Sequence, residues 1–319
     1  LGHVVRARMG RRVLDRLVGP VAGGVHSAEP DLLDLDTVLP GVRAALAETG
    51  SLGAAVARLR GTATAGAAVA GLRGGMHTLT EALATAVTAG GGRVLTGTRV
   101  RGLGRDEGWT VRIDGGSLQA GAVVLASEPG ELLAGLPDLD DAPTRRALPA
   151  QEPVVLATLV LDAPALDAAP RGTGVLVAAS ALDVHAKALT HVTAKWPLLA
   201  AGLDPGTHVL RLSYGGAGRP VPEGGPDLAT ALADASTLLG VRLDAAQVLG
   251  HDVLTWTRGL PRSAPGHRER ALALRSAMEA TGRLRGVGSW LAGTGLTAVV
   301  GDAERVAQEL VQSMRTPHS

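Results

Sequence analysis

The C-terminal stretch decides the fold of this chain: residues 284–314 have the sequence LRGVGSWLAGTGLTAVVGDAERVAQELVQSM. This pattern predicts a short apolar strand, a glycine-rich turn around Gly293 and Gly295, and a helix that runs nearly to the C-terminus. The apolar face of that helix is formed by residues at helical spacing, namely Val299, Ala303, Val306, Leu310 and Met314. Glycines at the start of a helix let backbone N–H groups approach a ligand closely, and the helix dipole favours an electron-rich group there. We therefore expect this helix N-terminus to face a cofactor.

Two other interpretations of the same glycines stay open. Gly293, Gly295 and Ala298 formally fit the dinucleotide fingerprint G-x-G-x-x-G/A. That fingerprint also needs a second strand with an acidic residue about 20 positions further on, to hold the ribose. No such strand follows the helix in this sequence, so a diphosphate site is not favoured here. The second interpretation is a turn whose glycines serve tight packing alone.

Composition and charge exclude several classes of function. The 319 residues carry a formal net charge of +1 with basic and acidic side chains interspersed, which predicts no nucleic-acid partner. The chain has no cysteine, which fits a reducing compartment, so we expect a cytoplasmic location. Its nine histidines show none of the spacings typical of a metal site, and we predict no bound metal. The motifs of serine hydrolases and of P-loop NTPases are absent, which leaves chemistry performed by a cofactor.

The first part of the sequence is predicted to be helical. Residues 1–25 contain several arginines and no continuous apolar region, so they do not resemble a signal peptide. Residues 42–59 predict one amphipathic helix. A basic amphipathic helix is able to lie on a membrane surface, but the mixed signs of the charges favour packing on the chain's own domain. Peripheral contact with the inner face of a membrane stays an alternative.

The middle of the chain alternates between strands and turns rich in glycine or proline. A capping box at Thr78 and Glu81 predicts the start of a helix, and a β-meander and an apolar strand follow it. Strands are predicted over residues 93–95, 98–103, 109–113, 122–127, 154–160, 175–177, 187–193, 209–214 and 247–257. Helices are predicted over residues 227–239 and 267–280. We therefore expect an α/β fold (α+β mixed), with a mixed sheet inserted between two parts of another domain.

Six segments, taken in chain order, resemble the FAD-dependent protoporphyrinogen/coproporphyrinogen III oxidase family, within the flavin amine-oxidase superfamily. The segments are 16–26 (RLVGPVAGGVH), 72–83 (LRGGMHTLTEAL), 123–129 (VVLASEP), 195–197 (KWP), 256–267 with Trp256, Pro261 and Pro265-Gly266-His267, and 286–296 (GVGSWLAGTGL). Members of this family begin with a βαβ unit that holds the FAD diphosphate, and no such unit precedes Leu1. The resemblance therefore implies the C-terminal two-thirds of such an enzyme, truncated at its N-terminus, which agrees with the absence of a starting Met.

The resemblance also implies an arrangement of domains. A helical subdomain on the substrate or membrane side is expected over residues 1–70. Parts of an incomplete FAD-binding domain are expected over residues 71–130 and 251–319. Residues 131–250 are expected to form the mixed β-sheet domain that binds the substrate.

The activity implied by the resemblance is the oxidation of a porphyrinogen to the porphyrin in haem biosynthesis, with FAD as cofactor and oxygen as electron acceptor. Coproporphyrinogen III is expected ahead of protoporphyrinogen IX, since the segments are most similar to versions from high-GC Gram-positive bacteria. Arg262-Ser263 stands where the family has Gln-Tyr, which leaves the substrate open. Two alternatives remain: another oxidoreductase of the superfamily, such as an amine oxidase or a carotenoid desaturase, and a non-catalytic truncated remnant that no longer binds flavin.

The resemblance places six residues at the cofactor: Val100, Ser127, Trp256, Thr294, Gly295 and Leu296. Val100 would contact the adenine through its backbone, and Ser127 would lie beside the cofactor. Trp256 would pack near the flavin, and the last three residues would direct N–H groups at the flavin pyrimidine. No catalytic side chain is assigned. Ordinary sheet or core positions stay open as an alternative for Val100, Ser127 and Trp256.

Overall fold

A computed structural model of the chain describes residues 1–26, 28–60, 70–127, 130–133, 136, 139, 153–216, 220–257, 266–293 and 295–315. The chain forms two compact units: Leu1–Glu81 joins Gln151–Arg262 in the first, and Ala82–Ala150 joins Ser263–Ser319 in the second. Helices and strands both contribute, which confirms the predicted α/β (α+β mixed) class. Within the described ranges, no helix combines the length and the apolar character that crossing a bilayer requires.

Helices dominate the two ends of the chain, and strands dominate its middle. The helices are α1 Gly2–Met9, α2 Arg11–Val13, α3 Gly19–His26, α4 Leu35–Val38, α5 Val42–Thr49, α6 Leu52–Arg60, α7 His77–Ala89, α8 Val192–Lys195, α9 Pro197–Ala200, α10 Leu228–Leu239, α11 His267–Ala280, α12 Ser289–Ala292 and α13 Leu296–Arg315. The strands are β1 Val100–Arg105, β2 Trp109–Ile113, β3 Gly116–Ala120, β4 Val123–Leu125, β5 Val154–Asp162, β6 Gly174–Leu176, β7 Ala188–His191, β8 Thr207–Tyr214, β9 Val248–Trp256 and β10 Leu284–Gly286.

The N-terminal helices of the first unit pack around a small aliphatic core. Its buried members are Val5, Leu14, Leu35, Val42, Ala45, Leu52 and Ala55. The single helix predicted over residues 42–59 is in fact two helices, α5 and α6. Gly50 ends α5 in a left-handed conformation with φ of 68°, and its N–H donates to the Leu46 carbonyl at 2.8 Å. A left-handed glycine closes a helix in this way because it lacks the Cβ that would clash.

A five-stranded sheet with the order β6-β7-β8-β5-β9 forms the centre of the first unit. A mixed sheet was expected, but all four pairings in it are antiparallel. On β5 the buried residues alternate with partly exposed ones, as a strand with one face in a core requires. Helix α10 covers that face, and the two elements share one cluster of buried side chains.

Local signals in the sequence set the ends of α10. Asp227 caps the helix by accepting the Thr230 N–H at 2.8 Å, which confirms the prediction of a helix over this segment. On the inner face, Asp234 is 2% exposed and accepts the backbone N–H groups of His185 and Ala186 at 3.1 and 2.9 Å. These two bonds attach the helix to the loop that precedes β7.

Two predicted elements of the first unit differ in the structure. The strand predicted over residues 187–193 ends at His191, where the chain turns into the short helix α8. The capping box does not form, because α7 begins at His77 and the Thr78 hydroxyl instead donates to the Gly75 carbonyl at 2.8 Å. The helix itself is present, as predicted, and carries no buried residue.

The second unit contains the antiparallel meander β1-β2-β3 and a separate parallel pair, β4 and β10. Its core joins both sheets to α11 through buried residues that include Leu103, Trp109, Leu125 and Met278. The strand predicted over residues 93–95 is not formed: the backbone there has no ladder partner, and Val94 is 52% exposed.

Candidate functional site

The parallel pair β4 and β10 defines one edge of the second unit. Leu284 pairs with Val123 and Gly286 with Leu125, so both strands run in the same direction and end at the same place. The Val287 N–H donates to the Leu125 carbonyl at 2.9 Å and extends the pairing by one residue. Ligands of α/β sheets bind outside the carboxyl ends of parallel strands, which makes this edge the candidate site.

A glycine brings the segments that follow β4 and β10 together immediately beyond this edge. Gly288 has φ of 112°, and a Cβ at this position would lie 2.6 Å from the Ala126 carbonyl oxygen. Only glycine permits that approach, because an L side chain would meet both the strained dihedral and the neighbouring backbone. Ser127 is exposed and lies two residues beyond the end of β4, at the same edge as the start of the glycine-rich turn.

A buried tryptophan anchors the short helix α12 that leads into this turn. Trp290 is 2% exposed, and its Nε1–H donates to the Val287 carbonyl at 2.8 Å. His267, the first residue of α11, hydrogen-bonds to the Trp290 backbone; burial nevertheless keeps the pKa of His267 below its ordinary value. The Nδ1 atom of His267 is buried and has no hydrogen-bond partner in the described part of the chain. The histidine therefore links the start of α11 to α12.

The turn itself is open to solvent. A Cβ at Gly293 or at Gly295 would meet no atom within 4 Å, and Leu296 is 55% exposed. The Val299 N–H donates to the Gly295 carbonyl at 3.0 Å and makes the first intrahelical bond of α13. The amides of residues 296–298 precede that bond, so they have no acceptor within the helix, and amides at such a position suit an electron-rich ligand. Thr294, which was predicted to share this role, lies outside the described residues.

Ion pairs hold α13 in place near its N-terminus. Asp302 accepts from Arg275 of α11 at 2.6 Å and from Arg305 at 2.9 Å. Burial by itself would raise the pKa of Asp302, but the hydrogen bonds from Arg275 and Arg305 hold that pKa below its ordinary value. Val306 and Leu310 are buried on the face predicted for this helix, whereas Met314 is 49% exposed because the helix end extends beyond the core.

The remaining predicted site residues, Val100 and Trp256, belong to other elements of the chain. Val100 is the first residue of β1, in the second unit, and is 37% exposed. Trp256 ends β9, in the first unit, and is 52% exposed. The structure thus brings Ser127 to the sheet edge that continues toward Gly295 and Leu296, while the roles of Val100 and Trp256 stay predictions.

Two features of the site were missed by sequence reasoning. Arg275 and Asp302 are 27 positions apart, and no local pattern marks them as a pair. His267 appeared only as part of a resemblance motif, and nothing in the sequence shows that it contacts the backbone of Trp290. Both contacts depend on how α11 packs against the C-terminal segment.

A family model and curated relatives both match nearly the whole of this chain. A family described as "Flavin containing amine oxidoreductase" matches residues 3–311. Coproporphyrinogen III oxidase of Mycobacterium tuberculosis (strain H37Rv) is 31% identical over 98% of this chain and 67% of the relative. The protein of the same name from Mycobacterium leprae is 31% identical over 97% of this chain and 66% of the relative. The chain thus spans about two thirds of the length of these relatives.

Solved structures share the fold at lower sequence identity. A structure from Exiguobacterium sp. 255-15, which carries a provisional protoporphyrinogen oxidase name, has a TM-score of 0.78 at 22% identity and covers 98% of this chain and 67% of its own. Cyclohexylamine oxidase from Brevibacterium oxydans has a TM-score of 0.61 at 17% identity, over 94% of this chain and 64% of its own.

Proposed function

This chain belongs to the family of flavin containing amine oxidoreductases, and we propose that within this family it oxidises coproporphyrinogen III to the porphyrin, with oxygen as electron acceptor, in haem biosynthesis. The observation that supports this choice of substrate is the 31% identity, over 98% of the chain, to relatives named coproporphyrinogen III oxidase. Protoporphyrinogen IX is the second candidate substrate, because the Exiguobacterium structure is named for a protoporphyrinogen oxidase.

Family membership confirms two of the expectations from sequence. The chain is an oxidoreductase of a flavin-containing family, and FAD is the expected cofactor of that family. The residues of the candidate site fit such a group, because open space surrounds Gly293 and Gly295 and a 20-residue helix begins there, whose first amides have no acceptor within the helix. A flat, electron-accepting ring needs this kind of backbone access rather than a cage of side chains.

Our assignment of residues to the cofactor follows the geometry of the second unit. The amides at Gly295 and Leu296 would hold the ring, and Ser127 would lie beside it at the end of β4. When bound, FAD supplies two-electron oxidation chemistry. The α13 dipole would stabilise negative charge at its N-terminus by roughly 0.3–2 kcal/mol. The ion pair between Arg275 and Asp302 would keep that N-terminus in position.

The proposed setting of the reaction follows from the composition and from the N-terminal helices. A cytoplasmic location is inferred from the absence of cysteine, and peripheral contact with a membrane from the arginine-rich helices near the N-terminus. Binding of the porphyrinogen would require the chain to exclude water and to orient the macrocycle at the flavin.

Turnover measurements test the proposed substrate. The purified chain, supplied with FAD, is incubated in air with coproporphyrinogen III or protoporphyrinogen IX, and porphyrin fluorescence is followed against an enzyme-free control. We expect faster porphyrin formation with coproporphyrinogen III. Inert porphyrinogens together with turnover of a polyamine or of phytoene would instead favour another oxidoreductase of the superfamily. A chain that shows no flavin absorbance once unbound FAD has been removed would favour the non-catalytic remnant.

A pair of glycine substitutions tests the proposed contact with the cofactor independently of turnover. In both Gly295→Leu and Gly301→Leu the new side chain would enter open space, since nothing lies within 4 Å of a Cβ at either position. The fold should therefore tolerate both changes. We expect Gly295→Leu to weaken FAD binding at least about tenfold, as measured by flavin fluorescence, because the side chain blocks the amides. Equal FAD affinities for the two variants would contradict the assignment.

A further inference from the structure

The five-stranded sheet of the first unit has two faces, and only one of them belongs to the core that α10 covers. Alternate residues of β5 lie in that core, namely Val155, Ala157, Leu159 and Leu161. The residues between them point to the opposite face, which we refer to as the open face: Val154, Leu156, Thr158 and Val160. All four are half-buried, and none belongs to a core cluster of the described residues.

Strand pairing shows which other residues share the open face. Residues that stand opposite each other in an antiparallel ladder point to the same side of the sheet. The partners of the outward residues of β5, and their own partners on β7, are Ser213, Arg211 and Val209 of β8, Trp256, Leu254, Asp252 and Gly250 of β9, and Ala188 and Thr190 of β7.

The open face is more apolar than a face that water covers. A solvated face of an antiparallel sheet carries polar residues at its outward positions, whereas β5 is apolar at three of its four. On the neighbouring β9, Leu254 and Trp256 are 49% and 52% exposed. Exposed apolar surface of this kind marks a site for a ligand or a partner.

A polar row crosses the open face between two apolar rows. Thr190, Arg211, Thr158 and Asp252 follow one another on adjacent strands, with the row of Leu156 on one side and the row of Val160 on the other. Arg211 is exposed and has no ion-pair partner among the described residues. A guanidinium flanked by apolar side chains suits a ligand that combines a carboxylate with an apolar body.

We propose that the open face binds the tetrapyrrole substrate and that Arg211 determines specificity by pairing with a propionate group of that substrate. The substrate class rests on the proposed function. The apolar rows would pack against the macrocycle, and the hydroxyls of Thr158 and Thr190 could donate to the same carboxylate. Coproporphyrinogen III carries propionates where protoporphyrinogen IX carries vinyl groups, so an arginine at this position favours coproporphyrinogen III.

Binding is measured without turnover. Coproporphyrin III, the stable oxidised form of the substrate, is titrated with the full chain in the presence of FAD, and its fluorescence anisotropy is followed at constant ionic strength. A porphyrin bearing N-methylpyridinium groups serves as a cationic control. We expect saturable binding of coproporphyrin III and at least about tenfold weaker binding of the cationic porphyrin. Equal affinities, or no saturable binding, would overturn the proposal.

Two arginine variants test the role of the charge. Arg211→Gln should weaken binding of coproporphyrin III at least about tenfold, and Arg211→Lys, which keeps the charge, should weaken it less. Arg12→Gln is the matched control, since Arg12 is another exposed arginine of the first unit and lies on α2. Equal affinities for Arg211→Gln and Arg12→Gln would refute the role of Arg211.

Two leucine variants locate the ligand. Leu254→Asp places a carboxylate on the open face and should weaken binding at least about tenfold, whereas Leu182→Asp, at a residue that is 90% exposed and outside the sheet, should not. Equal affinities would contradict binding at this face. A chain without porphyrin affinity that forms a dimer, which Leu254→Asp dissociates, would assign the face to a second copy instead.

Turnover separates this proposal from the proposed function. Arg211→Gln should lower kcat/KM for coproporphyrinogen III at least about tenfold and leave that for protoporphyrinogen IX less affected. A chain that oxidises coproporphyrinogen III equally well with Arg211→Gln would contradict the site and leave the function standing. A chain that binds coproporphyrin III through Arg211 but oxidises neither porphyrinogen would support the site and contradict the function.

Discussion

Gly288 offers the sharpest test of how the candidate site is built, because a second glycine nearby provides a matched control. Gly288 and Gly293 both have positive φ, at 112° and 96°. A Cβ at Gly288 would lie 2.6 Å from the Ala126 carbonyl oxygen, whereas a Cβ at Gly293 would meet nothing within 4 Å. Replacement by alanine therefore adds dihedral strain at both positions but a backbone collision only at Gly288.

The expected loss of unfolding free energy follows from the dihedral strain and from the backbone collision. Gly288 and Gly293 combine φ of 112° and 96° with ψ of 178° and 177°, a region that is essentially restricted to glycine and costs an alanine about 1–3 kcal/mol in both variants. Overpacking against a rigid backbone costs about 1–3 kcal/mol more, and this applies only to Gly288→Ala. We expect Gly293→Ala to lose about 1–3 kcal/mol of unfolding free energy and Gly288→Ala about 2–6 kcal/mol.

Urea unfolding measures the difference. Trp109 and Trp290 lie in the second unit, so replacing Trp196 and Trp256 by Phe leaves fluorescence that reports on that unit alone. With m of about 2 kcal/mol/M, the midpoint for Gly288→Ala should fall by about 1–3 M and that for Gly293→Ala by about 0.5–1.5 M. Equal midpoints at unchanged m would refute the close approach of Gly288 to Ala126.

Three further predictions concern charged and titratable groups. Asp302→Ala breaks a mostly buried ion-pair network and should lower the free energy of unfolding by about 3 kcal/mol. Arg101→Ala, at the exposed pair with Asp114 in the same unit, should change it by less than about 1 kcal/mol in the same urea assay. Asp234→Ala leaves two backbone N–H groups without an acceptor and should cost about 2–6 kcal/mol, seen as a lower midpoint with β7 amides that exchange faster with deuterium. Burial, with a smaller effect of the neighbouring histidine, lowers the pKa of His191, so the unfolded chain binds that proton first. The stability that neutral His191 contributes is complete above about pH 6.5 and is lost as the pH falls. Urea midpoints taken in steps down to about pH 5 should therefore fall less steeply for His191→Gln than for the unchanged chain. Equal slopes would contradict the lowered pKa of His191.

Local features of the sequence determined several elements correctly. Helix α11 has the predicted bounds, with Gly266 immediately before it and apolar residues at helical spacing within it. Helix α10 ends at Gly240, which closes the helix C-terminus in a left-handed conformation. The C-terminal strand, turn and helix were also predicted, although α12 was not, since its four residues are too few to show a period.

Errors arose where a local signal competed with a contact that the sequence does not encode nearby. Thr78 has the right spacing for a capping box, but its hydroxyl is used by the preceding turn at Gly75. Residues 93–95 have strand-forming side chains, but a strand exists only where a neighbour supplies its hydrogen bonds, and none does so in the described part of the chain.

The sequence by itself therefore determined most of the helices and strands, the glycine-rich turn before α13 and the resemblance that led to the family. Only the tertiary structure decided that β4 and β10 lie in parallel, that Gly288 meets Ala126, and that Arg211 lies between two apolar rows on the open face. The physical reason is separation along the chain. Capping and periodicity act over a few residues, whereas strand pairing, close backbone approach and buried hydrogen bonds join residues whose distance apart in the sequence carries no pattern.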